Sequence, residues 1–246
     1  MEFSDYSRKA VHFCNGRVPR LLATAFEGRS GSVSLLDIGC GDGALVFGLK
    51  AAGLLTNTDR VVGTDLSSLR IERFRKNTGC EGVVSDATDL RRFSDACFDL
   101  ILCSRVIEHV PDQRAMLSEV HRLLKHKGRL YLSTAFKKWY GWYFYRCNGR
   151  WVLDPTHVRE YRSKEEVLGL LRESGFIPRR VQVTQLAYSI LELVLRLVHR
   201  LLNAEDLGTA IAKSRVLSFL QRIAIPIIGY RYIEVLCEKS ACGDLA

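Results

Sequence analysis

The 246-residue chain carries 36 basic and 27 acidic side chains, a net charge of +9, and 47 % apolar residues. That apolar content excludes global disorder, and the length suits one α/β domain with room for an appendage. The charge surplus favours anionic partners such as nucleic acid, phosphorylated small molecules or an acidic membrane face, and it leans towards the C-terminal half, residues 135–246.

Apolar runs and helical patterns alternate from about residue 33 to 135. Val33–Ile38 reads as a buried strand ending at glycines, and Ala44–Ala52 as a helix. Arg60–Asp65 is a second strand, after which Ser67 caps a helix to about Asn77. Gly82–Ser85 and Phe98–Cys103 are further strands. Asp112–Leu124 is an amphipathic helix, with Met116, Val120, Leu123 and Leu124 on one face. Arg129–Thr134 follows as a fifth strand. Strands alternating with helices predict a parallel sheet covered on both sides.

The second half is less regular. Residues 136–151 are aromatic and basic. Ser163–Ser174 is a helix with a Ser cap and the acidic first turn Glu165-Glu166, stopped by Gly175. Phe176–Gln185 reads as a strand, residues 187–225 as helical with a break near Glu205–Gly208, and Tyr230–Glu238 as a final strand. Three parts follow: residues 1–186 as the main domain, 187–228 as a helical insertion, and 229–246 as the last strand with a tail.

None of the eight cysteines forms a C-x-x-C pair, and no Cys/His cluster has zinc spacing, so no metal is expected. Free cysteines in a reducing compartment are the simplest account. The first residues lack the order of a signal peptide and no stretch suits a bilayer span, so the expectation is a cytoplasmic protein.

The strongest motif is Asp37-Ile38-Gly39-Cys40-Gly41-Asp42-Gly43, between a strand and a helix. Glycines there let the backbone turn tightly and approach a ligand closely. Gly39-x-Gly41-x-x-Ala44 also satisfies a dinucleotide fingerprint. Asp37 tips the balance, because a carboxylate at the strand end repels a pyrophosphate and attracts an ammonium or sulfonium group. Asp65 ends the second strand, where both its oxygens can accept from ribose hydroxyls. Asp86 with Ala87 ends the third, placed to accept from an adenine amine and to donate to its ring.

These segments, with Ser85-Asp86-Ala87, Phe98-Asp99-Leu100-Ile101 and Val106-Ile107-Glu108-His109-Val110, resemble the ordered motifs of the class I S-adenosylmethionine-dependent methyltransferases. The resemblance covers about residues 30–135. It implies a Rossmann-like, seven-stranded, mostly parallel sheet with helices on both faces, the helical insertion preceding an antiparallel last strand. It implies S-adenosyl-L-methionine as the methyl donor. Gly39, Gly41 and Gly43 would line its methionine part with Asp37, Asp65 and Leu66 would lie at the ribose, and Asp86 and Ala87 would frame the adenine. Ser104 and Arg105 correspond to the segment beneath the methyl donor. Arg105 departs from the usual small residues there; a guanidinium near a sulfonium is unfavourable unless paired, as with Glu108, or aimed at an anionic acceptor.

Methyl transfer to a hydroxyl, phenol or carbon acid needs a base. His109 is one candidate, the other reading being that Glu108-His109 shapes the loop over the donor. His157 is the leading one, in Asp154–Tyr161, where His157, Arg159 and Tyr161 alternate and an extended stretch presents all three on one side. Arg159 and Tyr161, with Arg105, would face the acceptor. Phe136–Arg146, with Trp139 and Trp142 among cations, suits a membrane interface, base stacking, or a lid over an apolar pocket. The insertion at 187–228 fits a cap, a homodimer interface, or a segment dipping into a monolayer for a lipid-linked acceptor. The expected function is methyl transfer to a small, apolar or lipid-linked acceptor, with peripheral membrane contact. The alternatives are an RNA methyltransferase, although no separate RNA-binding module is visible, a donor-binding protein without methyl transfer, and a nicotinamide oxidoreductase, which Asp37 disfavours.

Overall fold

The computed structural model describes residues 16–143, 145–147, 150–154, 156–189 and 223–240. The described residues begin with a short helix α1 (Arg20–Ala23) and a 3₁₀ turn (Thr24–Phe26), then alternate β1 (Ser34–Ile38), α2 (Ala44–Ala51), β2 (Arg60–Asp65), α3 (Ser68–Thr78), β3 (Glu81–Val84), β4 (Phe98–Ser104), α4 (Gln113–Leu123) and β5 (Leu124–Lys137). A two-stranded ribbon, β6 (Tyr145–Cys147) with β7 (Arg150–Val152), leads to α5 (Lys164–Glu173), β8 (Phe176–Ser189) and β9 (Ala224–Lys239).

The helices start where side chains satisfy their first amides. Ser67 Oγ accepts from the Arg70 amide, Asp112 from those of Arg114 and Ala115, and Ser163 Oγ from that of Glu166. The seven strands run β3-β2-β1-β4-β5-β9-β8. The pairs from β3 to β5 are parallel, while β9 is antiparallel to both β5 and β8. Alternation along each strand splits the interior into two cores. Leu36, Ile38, Ile101 and Cys103 pack with Met116, Leu117 and Val120 of α4 and Val167 and Leu171 of α5. Leu35, Val61, Leu100 and Leu102 pack on the other face with Val46 and Leu49 of α2 and Ile71 and Phe74 of α3. The sheet is therefore buried on both sides and its functional groups are pushed to the strand ends.

Residues 187–189 and 224–225, read as helical, are strand: Ala187, Tyr188 and Ser189 pair with Pro226, Ile225 and Ala224. Strand β9 therefore begins at Ala224 rather than near 229, and pairing along a 14-residue neighbour overrides a local pattern that is apolar enough for either state. The remainder of the expected helical insertion lies outside the described residues. Five described cysteines, Cys40, Cys80, Cys97, Cys103 and Cys237, are free. Among the described residues, no helix is long and apolar enough to cross a membrane.

Candidate active site

The sheet order places the C-terminal ends of β3, β2, β1 and β4 side by side, the edge at which open α/β sheets bind ligands. Asp37 and Asp65 lie there, both buried, with Ser104 at the end of β4 and Asp86 two residues past β3. The glycine loop turns sharply between them. Gly39, Gly41 and Gly43 have φ of +62°, +54° and +88°, in the left-handed region that glycine enters at little cost. A Cβ on Gly39 would also sit 2.4 Å from Cγ2 of Val106, so the loop and the segment after β4 approach as closely as a bare backbone allows.

Asp65 organises this turn. Its Oδ2 accepts from the Gly41 amide at 3.1 Å and its Oδ1 from the Ser67 amide at 2.9 Å, with the Arg70 guanidinium 3.8 Å away. A carboxylate has about four lone-pair sites, so two acceptor positions are left for a ribose diol. Asp86 accepts both the Thr88 amide and hydroxyl on Oδ1, at 2.8 and 2.7 Å. Leu66 and Val84, each more than half exposed, stand next to Asp65 and just before Ser85-Asp86, offering apolar surface that a flat heterocycle can cover. Burial pushes the Asp37 carboxyl up to about 8, and the nearby Asp65 adds to the rise. A carboxyl held in that state gains most from an incoming cation. The residues present therefore fit S-adenosylmethionine: a carboxyl for the ammonium, a ribose acceptor and an adenine frame.

On the other side of the edge, Ser104 Oγ lies 2.8 Å from Ser133 Oγ, which accepts from the Tyr232 hydroxyl at 2.7 Å. Arg105 adopts φ +59° and its amide donates to the Ser133 carbonyl at 2.8 Å. Its guanidinium lies beside Glu108, the first of the two arrangements the sequence allowed. Nε lies 3.7 Å from Oε1 of the buried Glu108, and the two Nη atoms lie 3.4 and 3.3 Å from the Tyr188 hydroxyl. Glu108 Oε2 accepts from the Thr134 hydroxyl at 2.9 Å.

Beside this pair stand His109 and His157, edge to face with ring centroids 4.8 Å apart. The amide of Val158 donates to the Glu108 carbonyl and fastens the two segments together. One ligand-type atom from each of Glu108, His109 and His157 falls within 4.8 Å of the others. The cation already beside Glu108 is the Arg105 guanidinium. Among the described residues neither ring nitrogen of His157 has a hydrogen-bond partner, and burial, with help from His109 and Arg105, pushes its pKa down to about 3 against the pull of Asp154. It is therefore neutral.

The three alternating residues do not share one role in the structure. His157 faces His109, Arg159 donates to the Pro111 carbonyl at 2.5 Å, and Tyr161 is buried in the core with its hydroxyl donating to Gln113 at 2.8 Å. The latter two hold the stretch against the start of α4. Trp139 and Trp142 lie on the surface, Trp139 being 94 % exposed, while Tyr143 packs inward near Tyr188. Sequence reasoning missed Asp154, Thr156 and Tyr188. Asp154-Pro155-Thr156 is a turn signature that marks the first two, since an Asp before Pro accepts from the residue two on, as it does here at 2.9 Å. Tyr188 was hidden by its helical reading.

Comparison with known proteins agrees with this geometry. Residues 36–132 match the family model described as a methyltransferase domain. A ubiquinone biosynthesis O-methyltransferase from Haemophilus ducreyi is 31 % identical over 137 residues, 52 % of this chain and 56 % of that protein. The one from Pasteurella multocida is 27 % identical over 169 residues, 62 % of this chain and 67 % of the relative. The chain thus spans between about half and two thirds of these relatives. Among solved structures, a putative methyltransferase from Bacillus halodurans superposes with a TM-score of 0.60 at 19 % identity, covering 89 % of this chain and 97 % of the other. The [4+2]-cyclase SpnF does so with 0.58 at 20 %, covering 94 % and 89 %. At such identities the likeness shows a shared fold and leaves chemistry to the site.

Proposed function

We propose that the chain, whose residues 36–132 match the methyltransferase-domain model, uses S-adenosylmethionine to methylate a hydroxyl on a small, lipid-linked, quinol-type acceptor. The observation that carries the methyl-transfer reading is the row of Asp37, Asp65 and Asp86 around the glycine loop at the carboxyl edge. S-adenosylmethionine, held there, supplies an electrophilic methyl group. Asp37 and the loop would hold its methionine part, Asp65 and Leu66 its ribose, and Asp86 with Ala87 its adenine.

The chain's own work is then to seat the acceptor and take its proton. His157, its ring held near 3, is a weak base at neutral pH, which leaves the proton-acceptor role to His109. His157, neutral and with neither nitrogen bonded among the described residues, suits a hydrogen bond to a second polar atom of the acceptor. The Arg105 guanidinium, paired with Glu108, leaves the donor side without a bare cation. A hydroxyl acceptor accords with the O-methyltransferase names of the relatives.

The lipid-linked part rests on the surface loop after β5. Trp139, Tyr140 and Trp142 are exposed, and so are Ile225 and Ile228 on the neighbouring start of β9. The two segments are tied together by hydrogen bonds from the Lys138 amide to the Gly229 carbonyl and from the Trp142 amide to the Ile228 carbonyl. Lys138, Lys164 and Arg231 line a surface cavity of about 340 Å³ that starts one residue before Trp139. Exposed rings beside fixed cations suit an anionic membrane surface, where amphipathic rings sit at headgroup depth.

Calorimetric titration with S-adenosylhomocysteine, with NAD as control, tests the donor site. Micromolar binding of the first alone is expected; binding of NAD alone, or of neither, refutes the reading. Transfer of labelled methyl to a prenylated quinol then tests the acceptor class, and donor binding without any transfer would leave a donor-binding protein.

A further inference from the structure

His109 sits in a hydrogen-bond chain that the proposed reaction does not by itself require. Its Nδ1 lies 2.9 Å from the Thr156 hydroxyl and 3.3 Å from the Thr156 carbonyl. The hydroxyl in turn lies 2.6 Å from Oδ1 of Asp154, which also accepts the Thr156 amide at 2.9 Å. A hydroxyl has one proton. Thr156 gives it to the Asp154 carboxylate, so its oxygen can only accept from His109. The carbonyl can only accept as well. Both contacts therefore require the proton of neutral His109 to be on Nδ1, and they leave the lone pair on Nε2. Among the described residues Nε2 makes no hydrogen bond.

We propose that Asp154 and Thr156 are positioning residues that hold His109 in the Nδ1–H tautomer and aim its bare Nε2 at the acceptor hydroxyl. In the transfer the O–H bond of the acceptor breaks, its electron pair stays on oxygen, and the proton forms a new N–H bond at Nε2. The positive charge then arising on the ring is shared through the Nδ1–H and the Thr156 hydroxyl with the Asp154 carboxylate. The arrangement differs from a direct His–carboxylate pair by one inserted hydroxyl, which separates the charges and still fixes the ring plane. The groups beside His109 are Glu108 from its own loop and His157 from the connecting stretch, with Asp154 reached through the Thr156 hydroxyl; Asp154 and the Arg105 guanidinium also act on His157. Two further features agree. The Val158 amide donates to the Glu108 carbonyl, so residues 156–158 are tied to the histidine loop. His157 is neutral, which spares His109 a second imidazolium at 4.8 Å.

The proposal rests on the proton-acceptor role given above for its catalytic half and on geometry alone for its tautomeric half, and the test separates them. The full chain, with its six histidines labelled with ¹⁵N, is compared as parent, Thr156→Val, Thr156→Ser and His109→Gln, the last assigning the signal. The parent should show the Nδ1–H pattern at His109. It should be retained in T156S and give way to a tautomer mixture in T156V, where only the longer carbonyl contact is left. With the prenylated quinol, T156V should lower kcat by about 10- to 100-fold and displace the acid limb of its pH profile, T156S should restore both, and affinity for S-adenosylhomocysteine should stay at the parent value. A Nε2–H pattern in the parent, or a T156V variant identical to the parent in tautomer, overturns the relay. A shifted tautomer with unchanged kcat and pH profile overturns the catalytic half. An Nδ1–H pattern with no turnover of the quinol by the parent would sink the acceptor assignment and leave the relay standing.

Discussion

Replacing Asp37 by Asn should make the protein more stable and a poorer ligand binder. The Asp37 carboxyl is raised from 3.8 to about 8 by burial beside Asp65. Between those values the folded state keeps a proton that the unfolded state has lost, so stability falls as pH rises through this window and levels off above about 8. From pH 6.5 to 8.5 this one group removes about 2 kcal/mol, taking 1.36 kcal/mol per unit over the part of the range it still titrates. For a chain of this size that is a fall in Tm of about 4–8 °C. In Asp37→Asn the fall should vanish and the Tm at pH 8.5 should exceed the parent's, because the amide is neutral at every pH and can donate to Asp65. Differential scanning calorimetry at half-unit steps measures both curves. Above about pH 7 His157 is neutral in both states; below it His157 makes stability rise with pH, opposite in sign to Asp37. Binding should run the other way. An ammonium ligand prefers the ionised carboxyl, so S-adenosylhomocysteine binding at pH 7 should release close to one proton, read from calorimetric enthalpies in buffers of different ionisation heat, and the Asn variant should release none and bind at least about tenfold more weakly. Parallel Tm curves for parent and variant between pH 6.5 and 8.5 would refute the reasoning, since they would mean that Asp37 ionises like an exposed acid.

Gly39→Ala should cost about 2–4 kcal/mol and abolish donor binding, because it adds a left-handed alanine to a contact 2.4 Å from Val106, and Val106→Ala should recover part of the stability by denaturant titration. Arg105→Met should lower Tm by about 4–8 °C by leaving Glu108 buried with Thr134 as its remaining partner, and adding Glu108→Gln should restore most of it. His157→Leu should flatten the loss of Tm between pH 7 and 5: a ring held near 3 when folded takes up its proton first when unfolded, so the parent loses stability as pH falls through that range. Trp139→Ala with Trp142→Ala should leave Tm within about 1 °C, the first ring being 94 % exposed, while sedimentation with anionic vesicles falls at least about fivefold; unchanged sedimentation would remove the membrane reading.

Everything in the donor half depends on neighbours along the chain, and it was legible without coordinates. The glycines of 39–43 mark a turn that other residues enter only with strain, Ser67, Asp112 and Ser163 cap the helices they precede, and one apolar run per strand assigns β1 to β4. Asp37, Asp65 and Asp86 could be placed because each ends a strand, and parallel strands end on the same edge. The pairing of Arg105 with Glu108 was also within reach, being three residues apart. The acceptor half depends on contacts across the sheet and was not. Tyr188 meets Arg105 from 83 residues away, in a stretch whose apolar pattern suits a helix until β9 pairs with it. His109 and Thr156 are 47 residues apart, and no spacing rule joins them. Arg159 and Tyr161 turn to Pro111 and Gln113 because the connector packs on α4, which alternation alone does not reveal. Local propensity and strand order decide what a Rossmann-like edge can bind, whereas its reaction partner is chosen where distant loops fold over that edge, and that choice is made by tertiary packing.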